Sequence, residues 1–222
     1  MYGRGQQSGL GFGPPFTPPV VKQLLIANAV AYAAQLLLRE LGVEGARSAI
    51  ARARRMLASR GLPPIHLAAI DPADDVIQAL AEVGFDSVTH YVLLPDWKGE
   101  FQQDYETRAV ISAEKWPGFA RRSRLPYHPS VTPGWDASPR GADFGQERPR
   151  KYPWWPVVVG EHPDKFRSAV ERAVRYARGS DLADDDQLVF IASLNEWSEG
   201  HYLEPDARHG LGWIRAVRDG RR

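Results

Sequence analysis

Residues Gln187 to Pro205 read QLVFIASLNEWSEGHYLEP, an apolar run that gives way to two glutamates three residues apart around a tryptophan. The lead-in Gln187 to Ser193, QLVFIAS, has the length and apolar content of a buried strand. Asn195, Glu196 and Glu199 then lie just beyond its carboxyl end. In folds where strands alternate with helices, chemistry gathers at that end of the strands. Whether the chain has such a fold depends on what precedes this run.

Immediately upstream, Pro163 opens a helix whose stripe is Phe166, Ala169, Val170, Ala173, Val174 and Ala177, with Gly179 at its end. Trp154 to Gly160 offers a short strand, and Leu125 to Val131, LPYHPSV, is another, weakened by Pro126 and Pro129. Tyr105 to Lys115 is expected as a helix and Asp86 to Leu94, DSVTHYVLL, as a strand. Before these, Asp71 is expected to cap a helix with Pro72 in its first position, Asp74 and Asp75 complementing its positive end and Gly84 closing it. Pro63 to Ile70, PPIHLAAI, reads as a buried strand. The helix ahead of it carries Ala46, Ala49, Ile50, Ala53, Met56 and Leu57 on one side, Arg47, Arg52, Arg54 and Arg55 mainly on the other, and ends at Gly61. Arg208 to Arg218 supplies a last helix. Alternating strands and helices imply parallel pairing through crossovers, hence an α/β fold.

In that fold Asn195, Glu196 and Glu199 share one rim with His90 and Tyr91, and with Trp135, Asp136 and Arg140. Two carboxylates are the minimum equipment for cleaving a glycosidic bond, one protonating the departing oxygen while the other stabilises or traps the anomeric carbon. The pair would stand about 5–5.5 Å apart in a retaining enzyme and about 6.5–9.5 Å apart in an inverting one. Trp197 or Trp135 offers a flat face to a sugar ring, Asn195 and Arg140 can hold hydroxyls, and Tyr91 and Tyr202 complete the candidate substrate-binding set. Each has a plainer reading: solvated loop glutamates, an Asp136–Arg140 ion pair that steadies a loop, tryptophans that fill the core.

Composition narrows the classes. With 43% hydrophobic and 25% charged residues the chain can bury a core, and its net charge of +1 provides no field for nucleic acid. Zero cysteines exclude disulfides, thiolate metal sites and cysteine nucleophiles. The histidines His66, His90, His128, His162, His201 and His209 show no metal-binding spacing, so neither metal nor cofactor is expected.

The first 41 residues differ from the rest. Residues 1–19 are a Gly- and Pro-rich lead, and Val20 to Leu38, VVKQLLIANAVAYAAQLLL, is apolar over about the ~20 residues a membrane span requires. Lys22, Gln23, Asn28 and Gln35 interrupt it, so a membrane span and a buried or interfacial helix compete. FGPPFTPPVVKQLLIANAVAYAAQLL resembles the start and first membrane helix of bacterial rhomboid-family proteases; the resemblance stops near Leu38 and carries no nucleophile segment.

From Gly42 onward the resemblance is to another family. NEWSEGHYLEPD, with YHPSVTPGWDASPRG and GLPPIHLAAI in the same order, resembles the glycoside hydrolase family 99-like group, which includes the WbsX-type proteins of bacterial polysaccharide gene clusters. The resemblance implies a (β/α)8 barrel, a glycan substrate and retaining endo-α-mannosidase chemistry without a metal. It implies that Glu196 deprotonates the sugar 2-hydroxyl, that Glu199 is the acid/base, and that Trp135, Asp136 and Arg140 line the pocket, with Ala137 where a polar residue is common. The family's opening Tyr-Tyr-Pro-Gln-Phe-like strand is missing, so residues 42–222 are expected to form a partial barrel lacking its N-terminal strands, preceded by the apolar helix and prone to self-association through exposed strand edges. The alternatives are a WbsX-type glycosyltransferase of surface-polysaccharide assembly and an inactive membrane-associated fragment; the location is cytoplasmic or membrane-associated.

Overall fold

The computed structural model describes residue 40, residues 42–141 and residues 149–222. The rhomboid-like start and the membrane contact expected through Val20 to Leu38 lie outside them. Among the described residues no helix is long and apolar enough to cross a membrane.

The structure is a mixed α/β fold in which short strands pair in parallel. β1 (Ala68–Ile70) pairs with β2 (Ser87–Thr89), and β4 (Ser130–Val131) with β6 (Phe190–Ile191), Ser130 opposite Phe190. The two pairs are joined at Val88, whose N–H donates to Pro126 O and whose carbonyl accepts from His128 N–H, both at 2.9 Å. The result is a parallel succession β1, β2, the 126–131 segment and β6, with helices between its members. The strands are shorter than the apolar runs that contain them. In the 125–131 run Pro126 and Pro129 have no N–H to give, so these two residues join the ladder only as acceptors, as Pro129 O does from Phe190 N at 2.9 Å.

A second parallel pair, β3 (Gln102–Asp104) with β5 (Val157–Val159), adds a small layer. Val158 N donates to Trp135 O at 2.8 Å, which ties the loop after β4 to this layer.

Helix α1 spans 42–58 and buries Ala46 and Ile50. Its basic face is not wholly solvated: Arg54 binds Gly84 O at 3.0 Å and Asp86 at 2.6 Å, fastening α1 to the turn before β2. Asp71 does not cap a helix. Its backbone N–H continues the ladder to Thr89 O at 3.1 Å, its φ is +47°, and its carboxylate accepts from Tyr91 N–H. The short α2 (Leu80–Val83) begins later and ends, as read, at Gly84 in the left-handed conformation. Helix α3 (Tyr105–Ser123) outruns the expected helix and contains Pro117. Asp104 caps it by accepting from Thr107 N–H at 2.9 Å, and Tyr105, fully buried, donates to Thr132 O at 2.8 Å.

Helix α4 (Pro163–Arg178) follows the sequence reading closely, with His162 as cap and Gly179 after it. Its stripe of Phe166, Ala169, Val170, Ala173 and Ala177 is buried, and Phe166 alone contributes about 1.5–3 kcal/mol by leaving water. Helix α5 (Gly212–Gly220) lies on α4; Gly220 fits because a Cβ there would stand 2.9 Å from Val170.

His90 does not join the rim. Its ring packs on Phe119 at 4.2 Å and Nδ1 meets Tyr127 OH at 3.0 Å, and burial holds its pKa at about 4. It belongs to the contact between β2 and α3.

Candidate active site

The glutamates sit on a hairpin. β7 (Asn195–Glu196) pairs antiparallel with β8 (His201–Tyr202), Glu196 opposite His201, and a single 3-10 turn, Trp197–Glu199, joins them. Gly200 makes the turn possible with φ +70°, a conformation that costs other residues about 1 kcal/mol or more. The loop after β4 braces the tip: Asp136 N–H donates to Glu199 O at 2.9 Å, and a Cβ at Gly134 would come within 2.7 Å of Gly200 O.

From a 3-10 turn in that loop, Ser138–Gly141, Arg140 reaches across to the hairpin. Its Nη2 donates to Glu196 Oε1 at 2.8 Å, its Nη1 lies 3.0 Å from Glu199 Oε1, and its Nε donates to Ser198 Oγ at 2.9 Å. Nη1 also donates to Tyr152 OH at 2.8 Å, and that hydroxyl donates to Glu199 Oε1 at 3.0 Å. Both carboxylates thus converge on one guanidinium, whose planar fork suits such bridging. Beside it, Arg140, Lys151, Tyr152, Pro153 and Trp154 line an open cavity of about 430 Å³.

The two glutamates have different surroundings. Glu196 is partly exposed, and hydrogen bonds from Ser198 and then Arg140 hold its carboxyl below the usual range, so it is ionised at neutral pH. Glu199 is 6% exposed and its second oxygen lies 3.1 Å from His201 Nε2. The bonds to Tyr152 and Glu196 hold Arg140 protonated well beyond its ordinary range. Burial, then the charges of Glu199 and Glu196, push the Tyr91 phenol up to about 12, which places this half-exposed ring in the field of the acid pair.

The other candidates separate. The expected Asp136–Arg140 ion pair does not form: Arg140 is taken by the glutamates, and Asp136 Oδ1 accepts from Ser138 N–H in its own turn. Trp135 is no open platform; it is 6% exposed, stacked on His201 at 5.8 Å and met edge-on by Trp97. Trp197, 45% exposed, keeps an accessible indole, stacked on Tyr202 at 3.6 Å with Nε1 donating to Glu204. Tyr202 turns its hydroxyl to Asp206 at 3.0 Å rather than toward the carboxylates. Asn195 is exposed, precedes Glu196 on the strand and so projects to the opposite face. Sequence reasoning missed Tyr152, Ser198, Ser193 and His201. For His201 the available signal was its place just after Gly200, where a hairpin returns beside its own outgoing strand. Among the described residues no group of three or more His, Cys, Asp or Glu is arranged to hold a metal ion.

Comparison with known proteins gives this geometry a family context. A family model described as glycosyltransferase WbsX matches residues 34–217. An uncharacterised protein, WxcX, of Xanthomonas campestris pv. campestris is 28% identical over 195 residues in each of two strains, covering 76% of this chain and 24% of the relative. The chain therefore spans about a quarter of the length of the curated relatives it matches. Two solved structures of a GH99 endo-alpha-mannosidase from Bacteroides thetaiotaomicron, one with bis-tris-propane, are similar at 15% identity with TM-scores of 0.41 and 0.42. They cover 70% of this chain and 45% and 42% of theirs.

Proposed function

The chain belongs to the WbsX family, and on that premise we propose that it processes a glycan by retaining glycosidase-type chemistry, with Glu196 and Glu199 as the reacting carboxyls. The observation that carries this reading is the Arg140 clamp, which brings both acids to one guanidinium beside an open cavity. Glu196, ionised, takes the proton of a sugar 2-hydroxyl; that oxygen attacks the anomeric carbon and closes a 1,2-anhydro ring. Glu199 gives its proton to the departing glycosidic oxygen. It then takes a proton from the water that reopens the ring at the anomeric carbon, and Glu196 returns its proton to the 2-oxygen. The half-exposed ring of Tyr91, which feels the charges of both glutamates, flanks the sugar. The parallel succession of strands is, on this reading, an arc of a (β/α)8 barrel, with the hairpin at the carboxyl ends where such sites lie.

The test is oligosaccharide release from α-linked mannans and bacterial surface polysaccharides by the purified chain, beside Glu199→Gln. Release by the parent and none by the variant is expected; equal release removes Glu199 from the mechanism. A second reading, transfer, is favoured by the description of the matching family model. Incubation with nucleotide sugars and a lipid-linked acceptor separates the two: new glycosidic bonds without release would replace hydrolysis by transfer.

A further inference from the structure

His201 is fully buried against Glu199, and the steps above do not use it. Its two ring nitrogens face different partners. Nδ1 lies 2.7 Å from Ser193 Oγ, and Nε2 lies 3.1 Å from Glu199 Oε2. Ser193 Oγ also lies 2.6 Å from the carbonyl oxygen of His201. A carbonyl only accepts, so the single hydroxyl proton of Ser193 goes to it, and Ser193 Oγ meets Nδ1 as an acceptor. Nδ1 therefore carries a hydrogen. In a neutral imidazole this leaves Nε2 as a bare lone pair, aimed at a carboxyl oxygen that is equally bare if ionised. Two lone pairs at hydrogen-bond distance repel in a buried site, and the contact is attractive only when one proton lies between them.

We propose that Ser193 and His201 are positioning residues for Glu199: the serine fixes His201 in the form protonated at Nδ1, and the histidine keeps one proton between its Nε2 and Glu199 Oε2. The pair has two microstates, imidazole with carboxylic acid and imidazolium with carboxylate, and titrates as a unit. Burial pushes His201 below the ordinary histidine range against the pull of Glu199, which favours the first microstate. The other titratable groups facing the pair are Arg140 and Tyr152 on Glu199 Oε1, Glu196 across the hairpin from His201, and Tyr91 edge-on to the imidazole at 5.6 Å; Trp135 stacks on its face. Arg140 pairs with Glu199 Oε1 at 3.0 Å and Tyr152 donates to the same oxygen, while the histidine meets the other one. Resting on Glu199 as the acid of the site, the consequence is that its proton remains available to the leaving oxygen although a guanidinium lies 3.0 Å away.

The proton's place is read without activity. The full chain is labelled with ¹⁵N-histidine and carboxyl-¹³C-glutamate, and signals are assigned through His201→Phe and Glu199→Gln. At neutral pH the expected spectrum has Nδ1 protonated, with either a protonated Nε2 or a Glu199 carboxyl carbon at its carboxylic-acid position. A bare Nδ1 overturns the proposal, as does a bare Nε2 together with an ionised Glu199. In turnover, Ser193→Ala and His201→Phe, the latter keeping a ring on Trp135, are expected to move the alkaline limb of the pH–rate profile down by about one unit. The loss is about tenfold on that side, with KM little changed and Ser193→Thr restoring the profile. An alkaline limb that stays in place in both variants also overturns it. If no glycan is turned over, the hydrolytic reading falls while the spectra still decide where the proton lies.

Discussion

Gly200 is where the hairpin that carries both glutamates is most exposed to a single change, and Gly210 is its natural control. Both have positive φ, +70° and +54°, and an alanine at either must adopt the left-handed conformation at a cost of about 1 kcal/mol. Their surroundings differ. A Cβ at Gly210 meets nothing within 4 Å, whereas at Gly200 it would stand 2.8 Å from Asp136 N and 3.2 Å from Asp136 Cβ. The first of these is backbone and cannot swing aside. The strand end and loop must part by several tenths of an ångström, an overpacking cost of about 1–3 kcal/mol. The same movement strains the bond from Asp136 N–H to Glu199 O, which contributes about 1 kcal/mol. Gly210→Ala is therefore expected to cost about 1 kcal/mol and Gly200→Ala about 3–4 kcal/mol. The excess of about 2–3 kcal/mol lowers the melting temperature by roughly 5–10 °C more in a chain of this size. Urea titrations of the two variants and the parent, followed by circular dichroism, measure the difference. Equal midpoints for the two variants would refute the claim that the loop after β4 bears on the hairpin, and with it the account of how Glu199 is placed. Turnover should fall with Gly200→Ala and be retained with Gly210→Ala, because only the first shifts the backbone next to Glu199.

Two further outcomes follow from single groups. Burial holds His90 and His128 neutral with pKa values of about 4, whereas the unfolded chain protonates its histidines near 6.5. The unfolded state thus binds more protons between those values. Stability is complete above about pH 6.5 and is lost as the pH falls toward 4, by about 3 kcal/mol for each histidine. Urea midpoints that stay level from about pH 7 to about pH 4.5 would contradict this. Tyr152→Phe removes the hydroxyl that accepts from Arg140 and donates to Glu199, and the ring is largely exposed. Turnover is expected to fall about tenfold with stability unchanged within about 0.5 kcal/mol; unaltered kinetics would exclude the phenol from the site.

What could be read from the chain divides according to how far apart the deciding residues lie. Helix α4 was legible because its stripe, its proline at the start and its glycine at the end are all local. The parallel strands β1, β2, β4 and β6 each fall inside an apolar run read beforehand, and Pro126 and Pro129 marked the weakness of theirs in advance, but strand lengths are set by which groups in other runs can donate and accept. β3 was missed because QQD has no strand pattern; it is held by Val157–Val159 and ends in the cap of α3. In the site, Glu196, Glu199 and Arg140 stood out by residue type and position, while Arg140's choice of the glutamates over Asp136 depends on a turn folding back across more than fifty residues.

The partner of the acid depends on something finer still. β8 is only His-Tyr, and successive strand residues face opposite sides, so composition alone leaves open which of the two looks toward Glu199. The 3-10 turn Trp197–Glu199 and the left-handed Gly200 set the register at Glu196 opposite His201 and Asn195 opposite Tyr202. That pairing sends Tyr202 out against Trp197 and Asp206, and sends His201 in between Ser193 and Glu199. One residue of slip would exchange a titratable imidazole for a phenol whose pKa burial and Asp206 already raise to about 12, and which cannot hold a proton on loan at neutral pH. The chemistry available to Glu199 is thus decided by the backbone of a three-residue turn.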